Sequence, residues 1–475
     1  MSFTTEVAKS VSRPRVLVEL DIGIPNSQWV NNGAGIWAVD AENLYSWVDS
    51  TLLEEGFTAQ EFGVIGSVSS DAARLTKVAT LGALDAQMEF FYDADDRMVW
   101  IILQNYDEPS LHDIVIGVIY GYSFTEFTPE GSIQLYEGRL TGVPRISIAR
   151  DPLFFGRVAY GGGAVELINA DGDLDTFARD NDVYGNEARI KLGFDGLDYD
   201  DYQTIFTGFI EGITVAEDTV SVGIAEKRKQ LSRAIQYVAT STNPITAIQA
   251  ILTTYFAAQY DSDYFDTTAW AAALSACTTL ASVNMQEAAA ASDIIEGLSL
   301  AAPGIFFLTP EGKYSFKVID TTATAATTLV SRDILNAIAV RYDPTEVISS
   351  IRVGHSRDWA TTGTTQYTYT DYDEHEESSY SAYKTYKRQD YDTYLDGATS
   401  AAAWADIIYP RFVDVHGSLS VTVPIRYYDI TVGDTLDVEI DRPTRAMLGT
   451  VATEILSIGW ELADVPTLEL GLRII

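Results

Sequence analysis

Residues 160–233 constrain the fold of this chain more than any other stretch. They include Gly161-Gly-Gly-Ala-Val-Glu-Leu-Ile-Asn-Ala-Asp-Gly-Asp-Leu-Asp175 and Ile205-Phe-Thr-Gly-Phe-Ile-Glu-Gly-Ile213. Val220-Ser-Val-Gly-Ile224 then leads into Glu226-Lys-Arg-Lys-Gln-Leu231. Val165 and Leu167 alternate into Asn169–Gly172, and Asn, Asp and Gly accept the positive φ that hairpin turns require. Phe206, Phe209, Ile210 and Ile213, then Val220, Val222 and Ile224, continue at near period two around Gly and Glu-Asp breaks. The stretch predicts short β-strands ending in a short basic amphipathic segment, with Asn169–Gly172 as a hairpin turn.

Other strands are expected at Val16–Ile22, Leu84–Tyr92, Met98–Gln104, Ile114–Tyr122 and Ser132–Leu140. The second and third of these should pair as a hairpin across Asp93–Arg97. Residues 1–13 read as a frayed or partner-docked arm. Near 236 the period changes. Asn243-Pro244 ahead of Ile245, Ile248, Leu252, Tyr255 and Phe256 supplies an N-cap, a first-turn proline and helical spacing. Ser292–Leu300 predicts a second helix. Ile305–Leu308 and Tyr314–Val318 form a hairpin around Thr309-Pro-Glu-Gly312. Ser356–Thr399 is an island of Tyr, Thr, Asp, Glu and Ser, read as a solvent-facing hairpin or a long loop. Ser400 should cap a short helix bearing Trp404, Ile407 and Ile408. A β meander is expected over Leu419–Tyr428, Thr435–Ile440, Gly449–Trp460 and Thr467–Ile474.

The Asn-x-Asp-Gly strand end, the Phe-x-Gly-x-Ile strand and the strand leading into Lys-Arg-Lys-x-Leu resemble the hub and distal-tail barrel proteins of tailed bacteriophages. The helix followed by a strand, Pro-Glu-Gly-Lys, strand hairpin is similar to the small α+β domain of those hubs. Val432-Gly-Asp-Thr-Leu436 through Leu468-Glu-Leu-Gly-Leu-Arg473 resembles their closing barrel. The resemblance implies a mainly β chain with two tail-tube-like β-barrels, a small α+β domain and an N-terminal β insertion module. Residues 14–24 and 136–235 would form the first barrel, 25–135 the inserted module and 236–330 the α+β domain. Residues 331–475 would form the second barrel, with a Tyr-rich loop at 356–399.

Composition narrows the chemistry. The 475 residues suit about three domains, and no apolar run approaches the ~20 residues that span a bilayer. The N-terminus lacks a secretory pattern, so synthesis in a host cytoplasm without membrane insertion is expected. Cys277, the only cysteine, excludes an intrachain disulfide and a thiolate metal cluster. It lies in an Ala-rich helical segment that suits a buried thiol. With 68 acidic against 31 basic residues the net charge is −37. That argues against duplex binding, which needs clustered cations, and leaves two readings: solubility, or an acidic conduit along which DNA slides without sticking.

No nucleophile elbow is present. Gly161–Gly163 lacks the Lys-Ser/Thr of a phosphate loop and reads as a turn or close approach. His375-Glu-Glu lacks a second zinc-protease histidine, and His112, His355 and His416 are scattered. Asn169, Asp171, Asp173, Asp175 and Asp180 fall at calcium-loop spacing, but Leu174 and Asp180 stand where an EF-hand needs Gly and Glu. No catalytic, cofactor or metal residue is therefore assigned, and no cofactor is expected.

By resemblance, the expected function is a structural virion protein: a homotrimeric hub ring at the distal tail end or baseplate. It would contact the tail tube, distal tail and tip or fibre proteins, with DNA or a tape-measure protein passing through the lumen. The alternatives are a tail-tip adhesin for a bacterial surface glycan, using 25–135 and the Tyr-rich island, and a wall-degrading tail enzyme.

Overall fold

The computed structural model describes residues 14–25, 30–31, 36–40, 64–70, 73–74, 76–77, 89–93, 98–102 and 114–475. Within the last range it leaves out 131, 133–134, 152–157, 161, 176–182, 257, 259, 320–324, 326, 360–365, 443–444 and 463–465. Residues 1–13, the expected arm, lie outside the described residues. The described fold is mainly β with a small helical part. The chain divides into two compact units: Met1–Pro144 with Gly162–Glu226, and Arg145–Gly161 with Lys227–Ile475.

In the first unit, strands are ordered Leu140–Gly142, Gly163–Ile168, Thr219–Glu226, Gln203–Val215, Glu187–Phe194, Pro14–Pro25 and Ile114–Ser123. Tyr136–Glu137 pairs in parallel with Gly121 and Tyr122 of the last strand. Four residues on, Leu140 pairs with Leu167 of the strand near the other end. One short stretch thus bonds both ends of this seven-strand run and closes it, while Val64–Ser70 continues the sheet beyond Ile114–Ser123. Alternate residues fill the interior: Val165 and Leu167, Ile190 and Leu192, Val220, Val222 and Ile224 are all buried, as a period-two pattern requires.

The inserted region adds Val64–Ser70 to the flank of Ile114–Ser123 and forms a separate sheet. There Glu89–Asp93 and Met98–Ile102 pair antiparallel across the expected hairpin.

The second unit repeats the closure. Thr435–Arg442, Arg445–Glu461, Thr467–Ile474 and Gly417–Pro424 lie side by side in that order. This corrects the expected meander: Gly417–Pro424 pairs with the last strand and not with the next one. Strand periodicity does not encode the neighbour, and a long connection returned the first strand beside the fourth, a Greek key. Residues 327–342 run from a parallel pairing with Leu436–Val438 to an antiparallel pairing at Ser418 and Gly417. Between them, Leu335 N donates to Thr422 O (2.8 Å). A single connected stretch again bonds both ends. The sheet is extended by a hairpin from the middle of the first unit's sequence: Ile146–Arg150 pairs with Ser457–Trp460, and Val158–Tyr160 pairs with Ile146–Arg150.

The helical part follows its signals. Asn243 Oδ1 accepts from Ile245 N (3.0 Å) at the start of the Pro244–Tyr255 helix. Helices Thr267–Ala276 and Ala291–Ala301 and the Gly304–Leu308/Tyr314–Val318 hairpin enclose Trp270, Phe306 and Phe316. Gly312, at φ +78°, turns that hairpin.

The Tyr-rich island is more regular than the sequence suggests. Ser350–Asp358 pairs with Gln366–Tyr372 and Arg388–Asp392, and Glu376–Tyr383 is a helix. Tyr391 packs edge-on to Trp404 (4.9 Å) in the core shared with the helices. The helix carrying Trp404 spans Ala398–Ile408, so Ser400 lies within it and is not its cap. Its Oγ instead accepts from Leu280 N (3.1 Å).

Candidate functional site

The acids of the 169–175 loop do converge, and they converge on an arginine. Arg139 Nη1 lies 2.7 Å from Asp171 and Nη2 2.7 Å from Asp173, while Nε bonds Glu137 at 2.5 Å. Asn169 is buried. Its Oδ1 accepts from Leu174 N (2.8 Å) and its Nδ2 donates to Asp175 Oδ1 (2.7 Å). Gly172 takes φ +79°.

This loop does not make the expected hairpin turn. Gly163–Ile168 pairs with Thr219–Glu226 and Leu140–Gly142, so the chain crosses away from its own sheet neighbours after Ile168. Turn chemistry fixes a reversal but not the partner strand. The hydrogen bond from Arg139 is the main reason the Asp171 carboxyl is held down at about 2. The guanidinium occupies the position that a cation would take. Asp180 lies outside the described residues.

A second cluster sits on the main sheet of the first unit. Glu19 is buried and pairs across the sheet with Arg189 on one side and Gly121 on the other. Its Oε1 accepts from Tyr136 Oη (2.5 Å) and Tyr199 Oη (2.6 Å), and its Oε2 meets Arg189 (3.0 Å). Lys191 is 3.4 Å away. A Cβ on Gly121 would stand 2.8 Å from the Tyr136 ring, so that glycine makes room for the phenol. Burial pushes the Glu19 carboxyl up, but Lys191, Arg189 and the two phenols outweigh it and the net shift is downward.

A third cluster lies in the second unit. Glu454, buried, accepts from Arg150 Nη1 at Oε1 (2.8 Å) and from Arg411 at Oε2. Arg473 donates to the Arg411 carbonyl and stacks over Phe412 (4.8 Å). Beside them is a cavity of about 160 Å³ lined by Pro410, Arg411, His416, Arg473 and Ile475. No sequence signal marks these residues, since Arg150 and Glu454 stand 304 positions apart.

The other residues weighed from sequence stay apart. Cys277 is buried at the end of Thr267–Ala276, and burial pushes its thiol up, which disfavours the reactive thiolate. His375 precedes the Glu376–Tyr383 helix and meets the Tyr409 ring (5.2 Å), while His355 bonds Thr370 (3.1 Å). Gly163 is a close approach: an added Cβ would fall on Pro144. Among the described residues no group of three His, Cys, Asp or Glu could hold a metal. Lys227–Ser232 is a 3₁₀ turn with Leu231 buried.

No family model matches the chain, and no curated protein does. Solved structures do show similarity. A tail protein from Neisseria meningitidis MC58 matches at 12% identity, covering 69% of this chain and 91% of that one, with a TM-score of 0.43. The 43 kDa tail protein of prophage MuSo2 from Shewanella oneidensis matches at 13% identity, covering 73% and 98%, with a TM-score of 0.43. A chain of the virion of a native gene transfer agent particle matches at 10% identity, covering 98% and 85%, with a TM-score of 0.34. No residue of those proteins is matched to a role here.

Proposed function

We propose that this chain is a structural protein of a phage-type tail, a hub subunit at the distal tail end or baseplate. The observation that carries the reading is the repeated closure: each unit holds a run of β-strands whose first and last members are bonded by one short stretch, 136–142 in the first and 327–342 in the second. Two closed sheets in one chain are what the sequence resemblance implies for a protein whose three copies present six barrels. The proposed domains are those two barrels, the inserted 25–135 module and the α+β part.

The net charge of −37 suits a lumen through which DNA or a tape-measure protein moves without binding, because like charge repels phosphate. Tail tube, distal tail and tip proteins are the proposed partners, and the virion tail the proposed location. The proposed role is non-enzymatic, and no specific observation favours the adhesin or wall-degrading readings. Mass photometry and electron microscopy of the purified chain test the proposal. A three-fold ring is expected; a persistent monomer or a six-fold ring of single chains overturns it.

A further inference from the structure

The three-stranded sheet of the Tyr-rich island ends in two open edges. Its order is Gln366–Tyr372, Ser350–Asp358, Arg388–Asp392, and among the described residues neither outer strand pairs with a further strand. Thr368 stands level with buried His355 and is itself exposed, so the first edge is uncovered on its core side as well. An open edge presents N–H and C=O groups that template another strand, and natural sheets blunt it with Lys, Pro or bulges. The strand Gln-Tyr-Thr-Tyr-Thr-Asp-Tyr has no Lys and no Pro and is dense in strand-forming residues. The bulge in its pairing lies on the central strand, between His355 and Asp358.

The two edges differ in charge. Asp371, Asp373 and Glu374 stand at the end of the first outer strand, and Lys384 and Arg388 at the start of the other. Both groups lie at one end of the sheet, because Ile351 pairs with Tyr372 and its neighbour Ser350 with Arg388. Their bonds within the copy are weak. Asp371 reaches Arg352 only at 3.7 Å, and Arg388 meets Asp390 at 2.9 Å with both side chains about half exposed. Surface pairs of this kind are worth ~1 kcal/mol or less, so exchanging them for pairs to another chain costs little.

We infer that these edges join copies of this chain, the Gln366–Tyr372 strand of one copy adding antiparallel to the Arg388–Asp392 strand of the next. The inference rests on the hub reading and names a contact surface of its ring. The outer strands run antiparallel and parallel to Ser350–Asp358, so copies set side by side in one orientation meet antiparallel. Charge fixes the register. With Asp371 opposite Arg388 of the next copy, Tyr369 and Tyr367 stand opposite its Asp390 and Asp392, phenol donors against carboxylates. A slip of two residues that sets Asp371 opposite Asp390 is destabilising, because like charges then face each other. A contact between unlike edges is heterologous, and it makes a ring when its rotation closes.

Charge exchange in the full chain tests it, read by sedimentation at one ionic strength. Arg388→Glu alone and Asp371→Arg alone should each raise the concentration for half-assembly at least about tenfold, since like charges facing across an interface repel. The two together should restore assembly. That double variant keeps the net charge of −37, so recovery reports where the charges sit. Failure to recover, with the variant folded by circular dichroism, overturns the inference, as does unchanged assembly of both single variants. Asp371→Cys with Arg388→Cys supplies a second measurement, since the native Cys277 is buried. Within one copy the two positions are two strand spacings apart, ~9.6 Å, beyond the ~7 Å that a disulfide spans. Oxidation should therefore link copies into dimers and trimers on a non-reducing gel. A three-fold ring without cross-links overturns the edge pairing and leaves the hub reading standing. A ladder beyond three copies upholds the pairing and overturns the three-fold ring, and a monomer at every concentration overturns both.

Discussion

Glu19 and Glu454 do similar work in their respective units, each collecting cations from positions distant in sequence. A buried carboxylate survives only where its hydrogen-bonding capacity is filled, and removing one partner of such a cluster typically costs ~3–5 kcal/mol. Glu454→Gln should therefore destabilise the second unit by about that amount, measured by urea denaturation, because Arg150 and Arg411 lose their shared counter-charge. The folded-state pKa of Glu454 lies below its ordinary value because Arg150 and Arg411 outweigh burial. The sign follows: its contribution is present above the unfolded pKa and is lost as pH falls through the folded one. Asp171 behaves likewise, with its window lying between 3.8 and about 2. Titration of its carboxyl carbon by NMR should show a midpoint near the lower end, and Arg139→Met should move it back toward 3.8. An unchanged midpoint in Arg139→Met would remove Arg139 as the cause. Both aspartates are about half exposed, so the stability change from that substitution should be modest, ~1 kcal/mol or less.

At the scale of elements, packing decides more than propensity. Gly208 lies where the Gln203–Val215 strand passes the Ala225 carbonyl and the Phe206 ring, and an added methyl would collide with both. Gly208→Ala should cost ~1–3 kcal/mol as overpacking, read as a lower denaturation midpoint with an unchanged m-value. Gly121→Ala should cost a similar amount by a different route, displacing the Tyr136 phenol from Glu19. Tyr136→Phe separates the two effects, since it keeps the ring and loses only the hydrogen bond, at ~1.5–3 kcal/mol for a bond to a charged group. If Tyr136→Phe were silent while Gly121→Ala were severe, the phenol–carboxylate bond would have no energetic role.

At the scale of the whole molecule, the chain passes between its two units at 144/145, 161/162 and 226/227. The hairpin between the first two crossings supplies Arg150 and two strands to the second unit's sheet. Replacing 146–160 with a flexible linker should lower the stability of the second unit although its own 227–475 sequence is intact. Hydrogen exchange on Arg445–Glu461 should report it, because Ser457–Trp460 would lose their ladder partners. Assembly belongs to this scale too: with the net charge at −37, any ring should tighten as salt screens repulsion between subunits, which sedimentation at graded ionic strength would record.

What was legible before folding is local. Val165 and Leu167, Val220 to Ile224, and Leu468 to Leu472 announced strands by period two, and each buries the predicted residues. Asn243 announced its helix by a side chain that reaches only two residues ahead, and Gly312 its turn by a φ that other residues avoid. These signals survive because their physics is confined to neighbours along the chain. Strand order is different, since any period-two strand fits beside any other. The Greek key of the second unit, the crossing loop after Ile168 and the two closing stretches were settled by which surfaces could be buried together. The charged clusters were equally silent. Arg139 reaches Asp171 across 32 residues and Arg150 reaches Glu454 across 304. The sequence by itself determined the strands of residues 160–233, the Asn243 cap and the Gly312 turn; only the tertiary structure decided which strands and charges would meet, because Coulomb attraction and burial act through space and not along the chain.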